Sequence, residues 1–109
     1  MIDFREELSA GDATKQINAA AADAFMQLSL TFHAKERMRD RGLIVSDVLH
    51  VLKTGFVYDA PERATRPQFW KYQIEGASPN SHGRLVRIVV IPAAGPSLKI
   101  VTVMWKDER

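Results

Sequence analysis

The sequence predicts an α+β domain in which N-terminal helices pack on an antiparallel β-sheet meander. Three observations carry this expectation. Apolar residues recur at helical spacing up to Gly55, and alternate with polar residues after it. Gly/Pro clusters separate the alternating stretches. Strands joined by such short connections pair as antiparallel hairpins, and helices then cover one face of the sheet.

Composition sets the frame. With 109 residues, 46% hydrophobic and 26% charged, the chain matches one globular unit and not a disordered segment. It has no cysteine, which excludes a disulfide framework and a thiolate metal site. No apolar run approaches the roughly 20 residues of a membrane helix. The opening Met1-Ile2-Asp3-Phe4-Arg5-Glu6-Glu7 lacks the apolar core of a signal peptide, so the expected compartment is the cytoplasm. A net charge of +2 does not by itself point to nucleic acid, and the placement of the cations is more informative.

Ile17, Ala20, Ala21, Ala24, Phe25 and Leu28 share one helical face, which predicts a helix over residues 12–27 with Asp12 as its cap. Leu28 to Phe32 alternates and reads as a brief strand between helices. A second helix spans residues 33–41 and stops at Gly42, and a third starts at the cap Ser46 and ends at Lys53-Thr54-Gly55. Phe56 to Tyr58 is a short strand, and Pro61 to Pro67 is an arginine-bearing loop. Trp70, Tyr72 and Ile74 alternate with Lys71, Gln73 and Glu75 in a half-buried strand. Leu85 to Ile91 is the apolar central strand, and Leu98 to Trp105 the last, with turns at residues 78–83 and 92–97.

Candidate chemistry lies first on the second helix. His33, Arg37 and Arg41 stand at i, i+4 and i+8 and form one polar stripe, beside a core-suited stripe of Ala34 and Met38. Histidine moves protons near neutrality and arginine grips phosphate, the parts that RNA cleavage through its own 2′-hydroxyl requires. The competing reading is structural: His33 packs at a helix start, and the arginines pair with carboxylates elsewhere in the fold.

A second basic set, Lys71, Arg84 and Arg87, is expected on an exposed sheet face, with Arg63 and Arg66 in the loop before it. Arg87 interrupts an apolar strand and needs a partner, which Glu75 on the neighbouring strand supplies. Strand parity turns Trp70 away from Lys71, so Trp70, Tyr72 and Trp105 are expected to pack in the core. Metal binding is not expected, because His33, His50 and His82 are far apart and arginines surround His33. No phosphate-binding glycine loop, dinucleotide fingerprint or nucleophile elbow is present, and no cofactor is implied. The first helix either covers its own sheet or docks on a partner or a second copy, making a homo-oligomer.

The segment Thr31-Phe32-His33-Ala34-Lys35-Glu36-Arg37-Met38-Arg39-Asp40-Arg41-Gly42 is the most distinctive, continuing through Ser46-Asp47-Val48, Val51 to Gly55 and Val101-Thr102. It resembles the domain-of-unknown-function family 4258, over about residues 29–105. That family looks like a relative of the RelE/ParE-type toxins. The resemblance implies residues 29–109 as a RelE/ParE-like α+β domain, with residues 1–28 as an N-terminal helical extension. It also implies a bacterial toxin-like domain that acts on or binds RNA or the ribosome, the toxin component of a toxin–antitoxin pair with an antitoxin protein as partner. An endoribonuclease of the messenger-RNA interferase kind is one form of that activity. The residue chemistry described above, not the resemblance, names the candidates for that activity: His33 and Arg37 as catalytic, with Arg41, Arg84, Arg87 and Lys71 contacting the anion. The alternative is a non-catalytic protein-binding module of the same fold.

Overall fold

The computed structural model describes residues 6–108. In chain order the elements are α1 (Ala10–Ala22), β1 (Gln27–Leu30), α2 (Phe32–Arg41), α3 (Val45–Thr54), β2 (Phe56–Val57), β3 (Glu62–Arg63), β4 (Trp70–Gly76), β5 (Val86–Ala93) and β6 (Ser97–Trp105). A single 3-10 turn, Pro79–Ser81, lies between β4 and β5.

Local chemistry explains the helix boundaries. Ser9 caps α1 by accepting from the Asp12 N–H at 3.2 Å, so the cap lies three residues before the expected one. The helix ends at Ala22, and Asp23 accepts from the Phe25 N–H at 2.7 Å as the chain turns into β1. Phe25, expected on the buried face, is therefore exposed. Thr31 caps α2, accepting from the Ala34 N–H at 3.0 Å and donating to the Val101 carbonyl at 2.9 Å. Gly42 ends α2 in the left-handed conformation at φ 68°, as expected. Ser46 is not the cap of α3. The Asp47 carboxylate reaches back to accept from the Ile44 N–H at 2.9 Å, and that buried carboxylate also accepts from the Ser78 hydroxyl at 2.9 Å.

The sheet is mixed rather than a purely antiparallel meander. Its order is β1-β6-β5-β4-β2, with β3 also pairing on β4. β1 runs parallel to β6 in the register Leu28↔Leu98 and Leu30↔Ile100, and the other pairs are antiparallel. The parallel pair arises because α2, α3 and four strands intervene between β1 and β6, and only short hairpin connections force antiparallel pairing.

All three helices pack on one face. Ile17 of α1, Ala34 and Met38 of α2, and Val48, Val51 and Leu52 of α3 meet Tyr72, Ile74, Val86, Ile88, Val90, Leu98, Ile100 and Val103 from the sheet. α1 is tied in by polar bonds as well. The Asn18 amide donates to the Leu52 carbonyl at 2.6 Å, and the Val57 N–H donates to the Thr14 hydroxyl at 2.9 Å. Trp70 and Trp105 pack at the edge of this core, and Tyr72 is buried within it. No helix of the described residues is long and apolar enough to cross a membrane.

Candidate functional site

Period-2 alternation sends every second strand residue to the face that carries no helix. Three rows of side chains cross it. In the first, Ser29 lies opposite Lys99, and Lys99 opposite Ile91. Lys71, one position beyond the Tyr72↔Val90 pair, extends this row, and Glu62 lies opposite Lys71. The second row is Gln73, Val89 and Thr102. The third is Phe56, Glu75, Arg87 and Met104. Register shifts between Val89 and Val90, so Val101 is an extra residue that bulges β6.

The rows differ in electrostatics. Glu75, 5% exposed, accepts from Arg87 Nε at 2.8 Å and pairs with Lys106 Nζ at 2.9 Å. Burial acts to raise the Glu75 carboxyl, but bonds from Lys106 and Arg87 outweigh it and leave the group below its ordinary value. Arg87 thus has the partner expected for it. Lys106 also lies 5.5 Å from the centre of the exposed Tyr58 ring. The third row is a compensated cluster and offers little free charge to a ligand.

The first row is different. Lys71 is 4.0 Å from Glu62, at the limit of an ion pair. Among the described residues no carboxylate pairs with Lys99 or Arg66. The β3–β4 hairpin brings Arg66 over this end of the sheet. Its tip is closed by the Ala64 N–H donating to the Phe69 carbonyl at 3.0 Å and the Phe69 N–H donating to the Arg66 carbonyl at 3.1 Å. Between tip and sheet lies a cleft of about 300 Å³ lined by Arg66, Lys71 and Lys99. A second cleft of about 310 Å³, lined by Gln73, Val89 and Thr102, continues along the sheet and shares Lys71 and Val101 with the first.

The residues singled out from sequence divide between two places. Lys71 and Arg87 do share the open face. Arg84 does not: it precedes β5, lies 4.3 Å from the Trp105 ring centre and pairs with Asp107 at 2.9 Å. His33 and Arg37 are exposed on α2, with the Arg37 Nε donating to His33 Nε2 at 3.4 Å. Arg41 holds Glu108 through both carboxylate oxygens, one at 2.7 Å. That bond, opposed by desolvation and aided by the Trp105 N–H, lowers the Glu108 carboxyl to about 2. Arg41 and Arg84 thus anchor the segment after β6, while His33 and Arg37 remain open to solvent.

Lys99 was the residue that pattern reading missed. It is the single charge between Leu98 and Trp105, and its parity against Leu98 and Ile100 was the available signal. Phe69 and Thr65, which line the first cleft, carried no such signal, because a loop tip has no period.

No curated protein and no solved structure matches this chain. A family model does match, from the residue before the α2 cap to the end of β6. Over residues 30–105 the chain belongs to the family described as "Domain of unknown function (DUF4258)".

Proposed function

We propose that the protein is a RelE/ParE-like, toxin-type domain that binds single-stranded RNA across the open face of its sheet. The observation that carries this reading is the row Lys99–Ile91–Lys71, on a face without helices and beneath the Arg66 hairpin. Two strand spacings separate the lysines, roughly 10 Å between Cα atoms, so both ammonium groups reach a phosphate above Ile91. The neighbouring Gln73 and Thr102 offer hydrogen bonds to base edges and sugar hydroxyls. Exposed aromatics at the far edge, Phe56 and Tyr58, offer flat surfaces for further bases. An antitoxin protein that covers this face is the partner such a toxin requires.

Titration of a labelled RNA oligonucleotide over a range of salt concentrations tests the reading. Binding is expected to weaken with salt. Replacing Lys71 and Lys99 together by alanine should reduce the log–log slope by about 0.7, the value for one phosphate contact on a single strand. A slope unchanged in a folded double variant rules out the sheet face.

Cleavage of the bound strand is a second reading, favoured by the contact between His33 and Arg37 at 3.4 Å. Thr31, which lines the cleft, caps the helix that carries both residues. An imidazole beside a guanidinium places a proton-transfer group next to a charge clamp. Inducible expression in a bacterial host, with bulk RNA and growth followed, checks this. Growth arrest with RNA cleavage, relieved by His33→Ala/Arg37→Ala in equally soluble protein, is the expected result. Intact RNA in the wild type assigns the protein to binding without cleavage.

A further inference from the structure

The cleft under the hairpin tip has a composition that charge alone does not explain. Its cations share the space with apolar walls from Phe69, Ile91, Ala93 and Val101. A bare phosphate would meet the lysines and leave those walls wet. An acyl chain would fill the walls but exceed about 300 Å³. The ligand that uses both halves has a flat, largely apolar body with an anion attached at one side. The two hydrogen bonds across the hairpin tip hold the Phe69 side of the cleft in place before any ligand arrives.

We propose that this cleft seats one nucleotide of a bound RNA strand, its base between Phe69 and the sheet and its phosphate between Lys71 and Lys99. The inference rests on the RNA-binding reading above and adds a base-dependent subsite to it. Ala93 is the residue that leaves room for the base. It faces the cleft from the end of β5, opposite Ser97, beyond the part of the strand that pairs with β4. A large side chain there fills the cleft without entering the helix-covered core.

The test compares two labelled strands by fluorescence anisotropy: a mixed-sequence RNA octamer and an abasic strand of the same length and charge. The wild type, Ala93→Trp and Phe69→Leu are titrated, with thermal melts confirming that each is folded. The base-bearing strand should bind the wild type about tenfold more tightly than the abasic one, within the range of one base stacked on an aromatic ring. Ala93→Trp and Phe69→Leu should each reduce that difference. Equal binding of both strands by the wild type, or a preference undiminished in both variants, overturns the nucleotide pocket and leaves the sheet-face reading standing. Failure of the wild type to bind either strand overturns both.

Discussion

At the scale of single residues, two carboxylates respond to pH and mutation in opposite surroundings. Glu108 is held at about 2, chiefly by the Arg41 guanidinium. Its folded value is below its unfolded one, near 4.3, so the stabilisation is complete above the unfolded value and lost as pH falls through the folded one. Urea denaturation from pH 7 to pH 2 should show Glu108→Gln less stable than the wild type at neutrality. The difference should shrink below about pH 4.5 and fall to a small remainder at pH 2. Glu75 is instead buried beneath its two cations. Glu75→Gln should cost about 2 kcal/mol in denaturant titrations, because charge-assisted bonds are lost and the cations keep no counter-charge. Adding Arg87→Met should recover part of that loss, since an apolar pair in place of an ion pair leaves less unpaired polarity.

At the scale of elements, two helix-ending glycines look alike in sequence and do different work. Gly42 has φ 68° and open space around a would-be Cβ. Gly55 has an ordinary φ of −79°, but a Cβ there would lie 2.6 Å from both the Glu75 and Val51 carbonyl oxygens. Gly42→Ala is therefore expected to cost about 1 kcal/mol through backbone strain. Gly55→Ala should cost about 1–3 kcal/mol by pushing α3 away from β4. Chemical denaturation of both variants separates the two effects. The sequence signalled both stops through their flanking patterns, but only the fold reveals that the second is a contact with β4. The same limit applies to the sheet. Alternation placed β4 and β6 well, because each buries one face. Pro92 was expected to begin a turn, yet β5 continues through it to Ala93. The β4 ladder has ended at Tyr72↔Val90, so Pro92 pairs with β6 alone and owes no N–H to β4. The parallel partner of β1 was not legible at all, since four alternating residues carry a face but not the identity of a neighbour. Of the candidate site, Lys71 and Arg87 were legible by parity, while the hairpin that makes the cleft was read only as a loop. Two-residue β3 is too short to show a period.

At the scale of the whole molecule, α1 lies outside the matched residues 30–105 but contributes Ala13, Ile17, Ala20 and Ala21 to the same core. Removing residues 1–22 should therefore abolish the cooperative thermal transition, measured by circular dichroism. A truncated chain that still melts cooperatively would assign α1 to a partner surface instead. The position of β6 between β1 and β5 also orders events in time. A ribosome that has made every residue through Pro96 has made β1 without the strand that receives it, and the Gln27 N–H must wait for the rest of β6 to dock beside Pro96. The Thr31 hydroxyl finds its Val101 acceptor across a sequence separation of 70 residues. Such late, long-range closure is slow compared with helix formation. The nascent chain therefore carries finished helices over an unfinished sheet, and the face that would hold RNA comes into being only after synthesis has passed its final strand.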